Sequence, residues 1–281
     1  MHALLLLLSL TVPLWTQLPS YWNEGLAEIA IYKLQQERYG EIHPGELILV
    51  SVSEPFRRKE QVKAEKGSQI DDLVVLKVIQ IRRFTTGIYD YSLMSSTFYD
   101  VTNHQLIKAS FSAQDWCGQE YWQMNLWGKN YQLEWHSYFE QWSDGKTRLP
   151  FSFSEDEILA RLRINPDFLP VGELELIPSL QSFRLERHET KTQKAVALRE
   201  ALGDKKMKYE INYPSGRMIS IIYDVDFPHI IREIRERHKP LEKEKTLTSR
   251  AILTKTERIA YWKHNRRHDE SLRKRLGLKP P

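Results

Sequence analysis

The feature that most constrains the fold is an alternation of apolar and polar side chains with a period of two near the middle of the chain. The stretch "QEYWQMNLW", residues 119–127, alternates an apolar row with a polar row: Trp122, Met124 and Leu126 against Gln119, Tyr121, Gln123 and Asn125. The stretch "YQLEWHSYF", residues 131–139, repeats the pattern. Side chains two apart share one face of an extended strand. The short connection "WGKN" contains Gly128 and therefore predicts a β-hairpin.

Further strands are indicated along most of the chain. The segments that support them are "AEIAIYKL", "ELILVSV", "LVVLKVIQI", "LIKASFSA", "MKYEINY" and "RMISIIYDV". We place a turn at residues 43–45, before "ELILVSV". Residues 47–50 form an unbroken apolar run, which predicts a strand covered on both faces. We predict a mainly β fold: an antiparallel meander that forms a curved sheet, a half-barrel or a sandwich, with one or two short helices.

One helix signal interrupts the strand pattern. In "SEDEILARLRIN", Ser154 and Glu157 have capping-box spacing, and Ile158, Leu159 and Leu162 form an apolar stripe. The following Asn165 and Pro166 should end this helix. The stretch "KAVALREAL", residues 194–202, is compatible with either a helix or a strand.

The chain begins with an apolar run at residues 3–15, which is shorter than the roughly 20 residues that a bilayer span needs. It fits the hydrophobic region of a secretory signal, although an uncleaved anchor or a buried helix remains an alternative. We therefore divide the chain into a signal-like segment (1–20), a single β-rich domain (21–264) and a basic tail (265–281). Two lobes separated near 151–172 are an alternative organisation of the domain.

Charge is distributed unevenly along the chain. Residues 1–183 carry 16 Lys and Arg against 23 Asp and Glu, a net charge of −7, and residues 184–281 carry 25 against 14, a net charge of +11. A basic half can attract an anionic membrane surface, but the mixed signs are more typical of a solvated surface. In the basic half, like charges do not cluster beyond the short "RKR" at residues 273–275, and we expect no specific nucleic-acid partner.

Several stretches resemble a known family: "YWNEGLAEIAIYKLQQERYGEIHPGELILVSVSEPF", "TTGIYDYSLMSSTFYDV", "QDWCGQEYWQMN", "SYFE" and "LPVGELELIPS". The chain resembles, from about residue 21 to residue 277, uncharacterised exported or lipid-anchored proteins of Gram-negative bacteria. That family often carries the label "septum formation inhibitor Maf", which belongs to a nucleotide pyrophosphatase whose Ser-Pro-Arg-Arg loop is missing here. The resemblance implies a periplasmic or membrane-associated location and a β-rich fold, and it implies no catalytic residues.

Cys117 is the one cysteine of the chain, so an internal disulfide is excluded. As a nucleophile it would need a base, and His136 and His104 are the histidines of the surrounding strands and loops. The adjacent Asp115 disfavours a thiolate. A single cysteine is more often a small buried apolar residue.

We expect no metal site, because His264 and His268 have helical spacing but lack a third ligand, and we expect no cofactor.

The polar row of the first hairpin strand is uncharged, which suits a partly enclosed cavity, whereas the alternative is a sheet face bonded to its neighbours. The ligand-binding candidates are Trp116, Cys117, Gln119, Tyr121, Gln123 and Asn125. Our hypothesis is an exported envelope protein that binds an apolar or amphiphilic ligand, a lipid, a glycan or an envelope-protein segment on a concave sheet. The alternative is a cysteine-dependent hydrolase or acyltransferase that uses Cys117 and His136.

Overall fold

The computed structural model describes residues 18–67, 71–186, 189–238 and 246–278. Most of the predicted signal-like segment, residues 1–17, lies outside the described residues. The strands are β1 (Ala27–Arg38), β2 (Glu41–Arg57), β3 (Val62–Lys63), β4 (Asp72–Thr86), β5 (Tyr89–Asp100), β6 (Gln105–Asp115), β7 (Gly118–Trp127), β8 (Asn130–Ser137), β9 (Gly145–Pro150), β10 (Phe153–Ser154), β11 (Gly172–Ile177), β12 (Gln193–Gly203), β13 (Lys206–Asn212), β14 (Met218–Asp224), β15 (Ile231–Arg237) and β16 (Thr248–Ile259). The α-helices are α1 (Ser20–Asn23), α2 (Ile158–Ile164), α3 (Leu180–Glu186) and α4 (Glu270–Leu276).

Sixteen strands among the described residues form one open, curved sheet. Its order is β10-β11-β12-β13-β14-β15-β16-β1-β2-β4-β5-β6-β7-β8-β9, with β3 paired to β2. Every described pairing is antiparallel except that of β10 with β11. Neighbours in the sheet are neighbours in sequence almost throughout, which is the connectivity of a meander. The predicted mainly β fold is therefore confirmed, in its curved-sheet form.

The helix at residues 154–165 forms as its capping signals predict. Ser154 and Glu157 make the reciprocal capping-box bonds around a short 3-10 turn, and α2 continues from it. The helix ends at Ile164, because Asn165 is extended and Pro166 begins a new 3-10 turn. The stretch that was compatible with helix or strand is the strand β12.

The predicted turn at residues 43–45 is wrong. The chain instead turns at Tyr39 and Gly40, which both have positive φ angles (57° and 72°), as a tight hairpin requires. Gly45 lies inside β2, where a Cβ atom would be 2.4 Å from the carbonyl oxygen of Arg83. This glycine is therefore needed for close packing of two strands, and sequence alone does not separate that role from a turn.

One face of the sheet, here called the inner face, packs against α2 and α3. Ile158 and Leu162 of α2 join the apolar cluster of β1, β2 and β12–β16. Leu180 and Phe183 of α3 join the cluster of β4–β9. The curved sheet thus encloses two short helices of its own chain, and their apolar side chains occupy its concave side.

The opposite, outer face is covered by protein over its central strands. Leu276 of α4 packs with Ile48 and Val50 of β2, while Leu47 and Leu49 of the same strand face inward. The prediction that residues 47–50 are covered on both faces is confirmed.

The predicted basic tail contains α4, and strands on both sides of residues 151–172 belong to the same sheet. No helix among the described residues is long and apolar enough to cross a bilayer.

Candidate functional site

The two-residue turn between β6 and β7 presents Trp116 and Cys117 at the surface. Asp115 pairs with Gly118 across the turn, and the Cys117 backbone N–H donates to Asp115 Oδ1 at 2.7 Å. The other carboxylate oxygen of Asp115 accepts a hydrogen bond from Arg184 of α3 at 3.3 Å. The Trp116 side chain is 71% exposed, and its ring lies 6.2 Å from the ring of Tyr89.

A depression on the outer face, here called the outer groove, lies beside this turn. The strand register aligns Met94, Ser112, Tyr121 and His136 in one row across β5 to β8. The groove has a volume of about 810 Å³, within the size range of ligand sites. Its outward side chains are those of Ser92, Met94, Ser112, Gln114, Trp116, Cys117, Gln119, Tyr121, His136, Tyr138 and Asp144.

The outer groove brings together most of the residues that the sequence singled out. Trp116, Cys117, Gln119, Tyr121 and His136 all line it. They lie on the outer face, opposite the concave side on which the hypothesis placed the ligand. Sequence analysis missed Asp144 and the contributions of β5, although "YDYSLMSS" alternates Tyr91 and Leu93 with Ser92 and Met94.

Gln123 and Asn125, the remaining two candidates, lie beyond the outer groove in a chain of hydrogen bonds. Tyr121 Oη donates to Gln123 Oε1 at 2.7 Å, and Gln123 Nε2 donates to Asn125 Oδ1 at 2.8 Å. Asn125 Nδ2 in turn donates to Gln61 Oε1 at 3.1 Å. This part of the polar row corresponds to the alternative of a sheet face bonded to its neighbours. It holds the Tyr121 hydroxyl in one orientation at the end of the groove.

The two carboxylates that approach the groove from the inner side share one cation, Arg184. Asp115 and Glu120 both form ion pairs with Arg184 at 3.3 Å, and their side chains are almost fully buried. The groove therefore presents one outward carboxylate, Asp144, whose Oδ2 lies 3.2 Å from His136 Nδ1. Hydroxyl, amide and aromatic groups form the rest of its polar surface.

Tyr138 lies against the turn because Gly118 has no side chain. A Cβ atom at position 118 would be 2.8 Å from Tyr138 Cδ1. The Tyr138 side chain is nevertheless 76% exposed. Tyr138, Trp116 and Gln119 all line the outer groove. We call the side chains of Tyr138 and Trp116 the aromatic walls.

Cys117 and His136 line the same groove but are separated along the strands. The register places His136 opposite Tyr121, four residues beyond Cys117. At about 3.3 Å per residue, this separation is about 13 Å along the strand direction. Direct hydrogen bonding needs about 3 Å, so the described arrangement does not pair the imidazole with the thiol.

A second polar feature lies inside the protein and was not anticipated from the sequence. Arg217 Nη2 contacts Glu155 Oε2 at 2.7 Å, Arg217 Nε contacts Glu186 at 2.5 Å, and His238 Nδ1 contacts Glu186 at 2.9 Å. Burial alone would raise the pKa of Glu186, but the hydrogen bond with His238 and the charge of Arg217 lower it to about 2. We call Glu155, Glu186, Arg217 and His238 the inner ion cluster.

A small, partly open cavity of about 60 Å³ adjoins this cluster and is lined by Glu155, Asp156 and Glu236 among others. Burial raises the pKa of Asp156 to about 7, opposed by the Leu180 backbone N–H that its carboxylate accepts. The cavity is much smaller than the roughly 300–1,000 Å³ of typical ligand sites. We therefore assign the inner ion cluster a structural role and regard the outer groove as the candidate site.

Within the described ranges, no group of three His, Cys, Asp or Glu residues is placed to hold a metal ion. Comparison of the chain with protein-family models, with curated proteins and with solved structures finds no match.

Proposed function

We propose that this chain is an exported envelope protein that binds a neutral glycan in the outer groove. The observation that carries the proposal is the combination of two highly exposed aromatic walls with hydroxyl and amide side chains in a groove of ligand size. Export is supported by the apolar run at residues 3–15 and by the family resemblance. The ligand class is supported by the side chains of the groove.

The aromatic walls match the shape and polarity of a sugar ring. Trp116 and Tyr138 expose ring faces to solvent at little entropic cost, since each side chain has two rotatable angles. A pyranose has an apolar C–H face that can stack on such a ring. Its hydroxyl groups project around the edge, where Gln119 and Ser112 can donate and accept hydrogen bonds.

The side chains of the groove argue against a lipid acyl chain and against a strongly anionic ligand. An acyl chain would cover the amide of Gln119 and the hydroxyl of Ser112 without supplying hydrogen bonds, which costs free energy. A strongly anionic ligand would meet the outward carboxylate of Asp144. A neutral polyhydroxyl compound avoids both penalties.

The first prediction concerns the aromatic walls. Trp116→Ala and Tyr138→Ala should each weaken glycan binding at least about tenfold, because each removes a stacking surface at the centre of the contact. The measurement is isothermal titration calorimetry with glucose and N-acetylglucosamine oligomers as probes. Trp127→Ala is the matched control, since Trp127 is 45% exposed on the same hairpin but does not line the groove. Failure of every neutral oligosaccharide to bind, or equal losses in all three variants, would contradict the proposal.

The competing proposal of a cysteine-dependent hydrolase makes a separate prediction. Because His136 is about 13 Å away along the strands, we expect Cys117 of the folded protein to react with iodoacetamide no faster than in the same chain unfolded in urea. His136→Ala should leave the rate unchanged. A folded-state rate well above the unfolded rate, lost in His136→Ala, would instead support the hydrolase.

A further inference from the structure

The chain that follows β16 forms an exposed surface rich in aromatic and basic side chains. Tyr261 and Trp262 are 38% and 43% exposed, and their rings pack edge to face at 5.3 Å. All residues from 261 to 268 are exposed to solvent. We call residues 261–275 the basic platform. An exposed Trp-Tyr pair is unusual on a surface that faces only water.

The positive charge of this surface is largely uncompensated. The platform contains six Lys and Arg against Asp269 and Glu270, a net charge of +4 with neutral histidines. Arg275 is paired with Glu257. Within the described chain, by contrast, no ion pair involves Lys263, Arg266 or Arg267. The three cations next to Trp262 thus remain available to an external anion.

The α4 end of the platform is anchored on the sheet. Leu272 and Leu276 of α4 pack on the outer face of β1 and β2. Lys255 Nζ also donates to the carbonyl oxygen of Arg275. Helix α4 ends at Gly277, which adopts the left-handed conformation with a φ of 79°. Little ordering entropy is therefore lost at the α4 end when this surface docks.

The start of the described chain lies at the same end of the sheet. Ala27 of β1 pairs with Ile259, the last residue of β16, and the Arg258 guanidinium lies 3.9 Å from the centre of the Tyr21 ring. Tyr21 also contacts Phe227, which is 42% exposed.

We propose that the basic platform docks on an anionic lipid bilayer surface. Lys and Arg near such a surface are attracted to anionic head groups, and Trp and Tyr favour the boundary between head groups and acyl chains. The platform supplies both kinds of group, at the end of the sheet where the described chain begins. This docking is independent of ligand binding in the outer groove, which lies on β5–β8.

The test is partitioning of the full chain onto vesicles of phosphatidylcholine with and without phosphatidylglycerol. The ratio of the two partition coefficients is the readout, because apolar contacts with the bilayer contribute equally to both. Each cation near the surface contributes a factor of about five. The triple variant Lys263→Gln, Arg266→Gln, Arg267→Gln should therefore lower the ratio about 100-fold. Raising the salt from about 0.1 M to about 1 M should have a similar effect in the parent chain.

A matched control removes the same charge elsewhere. Lys129→Gln, Arg148→Gln, Lys194→Gln neutralises three exposed cations on other strands and loops and should reduce the ratio much less. Trp262→Ala should reduce partitioning onto both vesicle types severalfold. A ratio near one for the parent chain, or equal losses in the two triple variants, would overturn the proposal. So would tight binding to nucleic acid or an acidic protein with no preference for anionic vesicles.

Discussion

Replacement of Arg217 by methionine is expected to lower the free energy of unfolding by about 3–5 kcal/mol, since it leaves buried carboxylates without their cation. The Arg217 side chain is 4% exposed and contacts both Glu155 and Glu186. Methionine fills a similar volume, so the loss reports the charge rather than a cavity. Urea unfolding with linear extrapolation measures it.

Arg232→Met is the matched control for this change. Arg232 pairs with Asp224 on the neighbouring strands, but its side chain is 47% exposed. An exposed ion pair contributes about 0–1 kcal/mol, so the control should change stability by no more than this. The double variant Arg217→Met, Glu155→Gln should lose less than the sum of its single variants, because one uncompensated charge is removed. Equal effects of Arg217→Met and Arg232→Met would contradict a structural role for the inner ion cluster.

Trp122→Ala is expected to destabilise the protein by about 3–5 kcal/mol, the cost of emptying a large buried site. Trp122 is 0% exposed and stacks on Trp135 at 5.0 Å and on Phe183 of α3 at 5.8 Å. Its indole Nε1 also donates to Glu120 at 3.2 Å. Loss of this side chain therefore loosens the contact between β7, β8 and the enclosed helix. The change is measured by urea unfolding.

Trp116→Ala provides the control on the same strand pair. Because the Trp116 side chain is 71% exposed, its removal should change stability by no more than about 0.5 kcal/mol. The two tryptophans thus separate the two functions of the hairpin. Loss of Trp122 should lower the free energy of unfolding. Loss of Trp116 should weaken glycan binding and leave the fold intact. A large stability loss in Trp116→Ala would show that the exposed ring is structural.

The candidate site was partly predictable because alternation determines which residues share a face. The rows in residues 119–127 were assigned correctly to two faces, and four of the six ligand-binding candidates line the outer groove. The position of the groove was not predictable, because alternation does not say which face is concave. Asp144 could not be found either, since it reaches His136 from the connection between β8 and β9.

The sequence by itself determined many of the strands, the hairpin of β7 and β8 and the capped helix, because these depend on periods, turn residues and caps that act over a few positions. It also determined that the chain carries an unequal distribution of charge. Tertiary structure decided that α2 and α3 occupy the concave face, that the basic C-terminal residues form a platform, and that Arg217 meets Glu155. Each of these outcomes depends on contacts between residues far apart in the chain, and local patterns carry no information about which distant surfaces will meet.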